Sequence, residues 1–295
     1  MLGKIAIALL LAVQAGPKAT EQDSGFDSDD IIVEGSRDQK RQINAFVEAL
    51  TQARIDGQIS RFEWTVCPAA VGLSPEKNEQ VSARMKLVAA AAGIKVTDGG
   101  CRPNVLVIFT NNKRTMVEAL YQRFPAYFSS MTPAEARKLA KLPGPAVAWQ
   151  IEGMVDRDGV PLARDRVTDQ YVLEATDTPS RIVPTSRPHF VGSVVVIEIE
   201  AASGLTTTQV ADYAAMRAFV RTNPGRLGKS ASPSILTVLE APVGASIPVT
   251  LTEWDMGFLK ALYASDNQRY ATQQRQDIRR RLDDELRARG PGEAD

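Results

Sequence analysis

The run from Val191 to Ile199 constrains the fold more than any other stretch of the chain. Val194, Val195, Val196, Ile197 and Ile199 make it almost wholly β-branched, and such a run suits a strand buried on both faces, at the centre of its sheet. A helix start follows closely. Thr206 and Gln209 have the spacing of a capping box, Val210, Tyr213, Ala214 and Met216 carry a helical pattern to about Val220, and Asn223-Pro224-Gly225 stops it. A buried strand leading into a capped helix predicts a sheet with helices packed against it.

The rest of the chain supplies the partners. Ile43, Phe46, Val47 and Leu50 recur at helical spacing between Asp38 and Arg54, opposite Lys40, Arg41 and Glu48. Phe62, Trp64 and Val66 alternate with Arg61, Glu63 and Thr65, which predicts a half-buried strand ending at Cys67-Pro68. Ser74-Pro75-Glu76 opens a second helix, with Ser as cap and Pro in the first turn, and Gly93 closes it. Short strands are expected from Ile94 to Thr97 and from Asn104 to Thr110, with helices covering one face of the sheet. Two further helices follow, from Met116 to Phe124 and after the capping-box pattern of Thr132 and Glu135. Ala146 to Val155 and the residues near Val160 flank a hairpin turn at Asp156-Arg157-Asp158-Gly159.

Beyond the buried strand and its helix, Ser234 to Leu239 reads as strand or turn. Thr252 caps a helix from Met256 to Tyr263, and Gln268 to Arg289 alternates Arg with Asp and Glu as a solvated helix. The fold class is α+β, a mixed sheet covered by helices. Residues 36–265 are the globular region, as one body or as two halves, 36–145 and 146–265; residues 266–295 are a charged helix and tail.

The first residues read as an address. Lys4 precedes the apolar run Ile5 to Val13, too short to span a bilayer, and Val13-Gln14-Ala15 resembles a cleavage site, so residues 1–15 are expected to be a secretory signal peptide. Residues 16–35, acidic over much of their length and almost free of aliphatics up to Asp30, read as a flexible mature N-terminus. The expected product is a soluble periplasmic or secreted protein. Lys plus Arg and Asp plus Glu balance at 35 each, so nothing global draws the chain to nucleic acid or anionic lipid. In an oxidising compartment the only two cysteines, Cys67 and Cys101, are expected to pair as a disulfide, worth on the order of 3 kcal/mol.

The closing section carries a resemblance. Ser234-Ile235-Leu236-Thr237, then Leu251-Thr252-Glu253-Trp254-Asp255 and Phe258-Leu259-Lys260-Ala261-Leu262-Tyr263, resemble the C-terminal pattern of uncharacterised exported bacterial proteins that are similar to zincin-type metallopeptidases. The resemblance implies a strand, here Val191 to Ile199, before the helix that bears the metal in zincins, here Thr206 to Val220. Metal binding there needs two His one turn apart and a Glu. This helix reads Thr208-Gln209-Val210-Ala211-Asp212-Tyr213, and the one His of the chain, His189, precedes the strand. No catalytic or metal residue carries over, no cofactor is implied, and a zincin-like scaffold without its metal is the resulting expectation.

Candidate binding residues are Asp212, Tyr213 and Arg217 on that helix, as a peptide groove or as core, and Glu198 and Glu200, which strand alternation puts on one face. With Asp212 the two Glu form either paired carboxylates for hydrolysis or a solvated sheet edge. Trp64, Trp149 and Trp254 read as a sugar-stacking surface or as core. The irregular stretch from Asp165 to Pro188, with Arg164, Arg166, Arg181 and Arg187 around it, is the loop suited to touching a partner. The expected function is non-catalytic binding of an envelope protein or peptide; the alternative is hydrolysis of an envelope polymer or peptide by carboxylates outside a known motif.

Overall fold

The structure is a computed structural model of the 295-residue chain. It describes residues 28–51, 57–97, 99–128, 131–165, 168, 170–172, 184–229, 232–242 and 244–288, with side chains from residue 37 on and none at 228–229. The expected signal peptide, most of the expected flexible N-terminus, Arg166, Arg181 and the tail after 288 lie outside the described residues. The chain divides into a short unit, Met1–Asp38, and a large one, Gln39–Asp295; the sheet and both of its cores belong to the large one.

Four strands make one mixed sheet in the order β1-β2-β4-β3: β1 (Pro68–Val71), β2 (Val105–Thr110), β3 (Ala146–Asp156) and β4 (Ser186–Glu198). β1, β2 and β4 run parallel, and β3 is antiparallel to β4. β4 therefore sits between two partners, and its β-branched run is buried on both faces as its composition demands. Both halves of the globular region contribute strands to this sheet.

Helices cover both faces, not the one face expected for the first module. The alternation along each strand forces this, because Val105, Val107 and Phe109 of β2 face one core while Leu106 and Ile108 face the other. The larger core holds Ile43 to Leu50 of α1 (Ser28–Leu50), together with α2 (Pro75–Ala91), α5 (Thr207–Phe219), α6 (Glu253–Ala264) and α7 (Ala271–Ala288). Phe46 of α1, fully buried, meets Trp254 and Phe258 of α6 edge-on at 5.4 and 6.0 Å. The smaller core holds α3 (Lys113–Arg123) and α4 (Pro133–Ala140), with Phe128 stacked on Trp149 at 4.8 Å.

Local chemistry accounts for most helix starts. Ser74 accepts from the Lys77 amide at the head of α2, and Thr132, Thr206 and Thr252 each close a complete capping box with Glu135, Gln209 and Asp255. Gly72 turns β1 into α2 with φ +100°, where a Cβ would lie 2.1 Å from the Phe109 carbonyl oxygen, so only glycine fits.

Four further expectations need correction. Phe62 and Val66 form only isolated bridges, to Phe190 and Val96, and the strand begins after them at Pro68; the alternation is real, with Phe62 and Val66 buried, but among the described residues no neighbouring strand extends the pairing. The same applies to Ile94 to Thr97, which contributes a single bridge. β4 ends at Glu198, because Ile199 takes helical angles (φ −58°, ψ −39°) and Glu200 lies in a 3-10 turn, so Glu198 and Glu200 do not share a strand face. Finally, α7 is not simply solvated. Ala271, Gln274, Ile278 and Leu282 make a narrow buried stripe against α6, and a Cβ on Gly257 would come within 2.8 Å of Leu282.

Candidate functional site

A cleft of about 640 Å³ opens along β3. β3 is the sheet's last strand, so among the described residues one of its edges has no strand beside it from Ala146 to Gln150. The Glu198 amide donates to the Pro145 carbonyl, and antiparallel alternation then assigns Val147, Trp149 and Ile151 to bonds with β4. By the same alternation the amides and carbonyls of Ala146, Ala148 and Gln150 point away from β4. Among the described residues they have no backbone partner. Further along, Asp156 and Met154 do pair outward, with Val160 and Leu162, in the expected hairpin.

Two walls flank this edge. One is the loop after α4, with Leu142, Pro143 and Gly144, and Met131 before it. Lys113 holds that wall: its buried ammonium donates to the Leu142 and Gly144 carbonyls, and burial lowers its pKa. The other wall is the end of α5 and the residues after it, Arg217, Arg221 and Thr222 to Gly225. Gln150 ties the edge to this wall by donating to the Arg217 and Val220 carbonyls at 2.9 and 3.3 Å. Glu240 also lines the cleft, close against Gly144.

The charges are unevenly matched. Arg221 pairs with Glu152 at 2.8 Å at the cleft margin, both partly exposed. Arg217, only 7% exposed, donates one Nη1 bond to the Tyr213 hydroxyl at 2.8 Å and lies 5.7 Å from that ring. Its Nε has no acceptor, and no carboxylate pairs with it among the described residues. Burial raises the Tyr213 pKa, so the phenol remains neutral and supplies no counter-charge.

Of Asp212, Tyr213, Arg217, Glu198 and Glu200, only Arg217 lines the cleft, and of the three Trp only Trp149 does. Asp212 is fully buried and accepts from Arg84 through both oxygens, at 2.7 and 3.0 Å, and from the Thr250 hydroxyl and Leu251 amide. Glu198 accepts from the Lys113 amide at the start of α3, where a helix N-terminus favours negative charge. Glu200 is exposed. The three carboxylates therefore have separate surroundings. Trp149 is core, Trp254 is partly buried on the core, and Trp64 is 43% exposed. Arg187 is bidentate with Glu63, and Arg164 stacks on Tyr171. Among the described residues no three His, Cys, Asp or Glu side chains come together as metal ligands, and no helix is long and apolar enough to cross a membrane.

Lys113, Gln150, Arg221 and Glu240 escaped the sequence reading. Arg217 and Arg221, four residues apart across the end of a helix, were the one local signal for them.

His189 lies on β4, away from this cleft. It is 1% exposed, its ring meets Trp64 edge-on at 4.3 Å, and Nδ1 has no hydrogen-bond partner among the described residues. Gly153 makes room for it, since a Cβ there would sit 2.8 Å from Nε2. Burial pushes its pKa below 6.5, the Glu63 and Glu152 charges opposing that push and Arg187 adding to it. The unfolded chain thus takes up the proton first, so the stability that neutral His189 secures is intact above pH 6.5 and drains away as pH falls from there towards the folded value. The slope is at most about 1.4 kcal/mol per pH unit. Melting temperatures from pH 8 to 5 should fall less steeply for His189→Gln than for the parent; parallel curves would show that His189 does not set this dependence.

The fold and cleft define an α+β protein with an open antiparallel sheet edge set between two walls. No protein-family model matches the chain, and no curated protein or solved structure matches it.

Proposed function

We propose that this chain is an exported, non-catalytic binding protein that takes an extended peptide segment of an envelope protein along the open edge of β3. The carrying observation is that edge: three outward amide and carbonyl pairs, at Ala146, Ala148 and Gln150, lie on the floor of a walled cleft. An extended segment laid there would complete the ladder, a mode in which backbone bonds give affinity and alternate side chains give selectivity. Export is supported by the N-terminal sequence and by the Cys67–Cys101 bridge, since such bonds persist in oxidising compartments. The zincin-like scaffold reading fits the same picture. In the place of a metal-bearing helix, α5 spends Gln209 on the Pro248 carbonyl and Asp212 on Arg84, Thr250 and Leu251, so its polar groups hold structure.

Ala148→Pro tests the mode of binding. The substitution deletes an outward amide and leaves the bonds to β4 in place, a position where an edge strand tolerates proline. A photoreactive side chain at Thr222, in the cleft wall, is expected to capture an envelope polypeptide in cells, and Ala148→Pro to lower that capture at least about tenfold with little change in melting temperature. The same probe at Leu87, exposed on α2, is the control. Equal capture at both positions, or capture indifferent to Ala148→Pro, would overturn the proposal.

A further inference from the structure

Arg217 is a buried cation that the described residues leave without a counter-ion. Removing a guanidinium from water is costly unless a carboxylate or several acceptors receive it, and here one phenol hydroxyl does so. Its Nη2 makes no bond with the described residues, although the side chain lines the cleft. Arg221 stands on the same wall, held by Glu152 and partly exposed. Glu240 lines the cleft as well but forms no ion pair with Arg217. A carboxylate carried in from outside would supply what Arg217 lacks, in the two-pronged geometry that guanidinium groups favour.

We propose that the segment bound along β3 carries an acidic side chain at one fixed position, received by Arg217 with Arg221 beside it. This rests on the peptide-binding reading and adds its selectivity. Side chains of an added strand alternate between faces, and Ala146, Ala148 and Gln150 lie on the face of α5 while Val147 and Trp149 lie on the other. The acidic residue therefore belongs to the set that points towards α5, one position in every two along the segment. Ala146 and Ala148 line the cleft beside Arg217.

The test is selection of a displayed library of random eight-residue peptides on the purified full chain, repeated on variants. Enriched peptides should carry Asp or Glu at one aligned position at least about tenfold above the input library, and Arg217→Gln should abolish that preference while strand-forming peptides are still selected. Arg217→Lys, which keeps the charge and loses the fork, should weaken the preference without abolishing it. Should Arg217→Gln fail to melt cooperatively, the more exposed Arg221→Gln carries the comparison, with a threefold or greater loss expected. Enrichment with no acidic preference, with a basic preference directed at Glu240, or with an acidic preference that survives Arg217→Gln and Arg221→Gln, overturns this inference and leaves the peptide reading standing. Failure to enrich any peptide on the parent chain overturns both.

Discussion

Replacing Arg84 with methionine is expected to destabilise the fold by about 3 kcal/mol, the low end of the range for breaking a buried ion pair. The reason lies in the asymmetry of the pair: the Asp212 side chain is 0% exposed and that of Arg84 34%. Without Arg84, a fully buried carboxylate keeps only the Thr250 hydroxyl and the Leu251 amide, at 2.6 and 3.0 Å. Asp212→Asn should cost less, because the guanidinium left behind can turn to water. The pair binds α2 to α5 and to the strap at 250–251, so its loss loosens the layer that backs the cleft. A double-mutant cycle on melting curves should give a coupling of at least about 1.5 kcal/mol between the two positions. Equal and additive losses would contradict the asymmetry.

The second large effect concerns Cys67 and Cys101, whose Cα atoms are 6.1 Å apart and whose sequence separation is 34. A loop of that length gives about 3.5 kcal/mol by chain-entropy reasoning. The bridge fixes the residue before β1 to the turn before β2, where the Cys67 carbonyl also accepts from the Asn104 and Val105 amides. Changing both cysteines to serine should lower the melting temperature by about 7 to 14 °C, from about 2–4 °C per kcal/mol at this size. A thiol reductant should produce the same drop in the parent and none in the variant. A parent whose melting temperature ignores reductant would show that the bridge does not constrain the unfolded chain.

Residues whose chemistry is local were legible in the sequence. The caps at Ser74, Thr132, Thr206 and Thr252, the hairpin at Asp156–Gly159 and the buried strand around Val194 to Ile197 each depend on neighbours within a few positions. What depended on distant partners was not. Phe62 to Val66 alternates like a strand but pairs only at isolated points, and the buried stripe of α7 is four residues hidden among arginines and acids. Two-sided covering of the sheet emerges only when the strand order is known, because a run of Val and Ile reads the same whichever face the helices take. The cleft is the extreme case. β3 is an open edge because β4 inserts beside β2, and Arg217 lacks a counter-ion because no described acid, Glu240 of the same cleft included, forms an ion pair with it; neither fact is written near those residues. Asp212 shows the converse. A carboxylate on a polar helix start invites a functional reading, yet Arg84, 128 residues away in sequence, claims it for structure.

Backbone amide exchange along β3, with and without a peptide enriched in the display selection, tests the central claim most directly, that the open edge is where the ligand docks. The amides of Ala146, Ala148 and Gln150 are expected to slow by at least about tenfold when the peptide binds, while those of Val147, Trp149 and Ile151, already bonded to β4, change little. Binding that leaves the first three unchanged, or that slows all six alike, would contradict it.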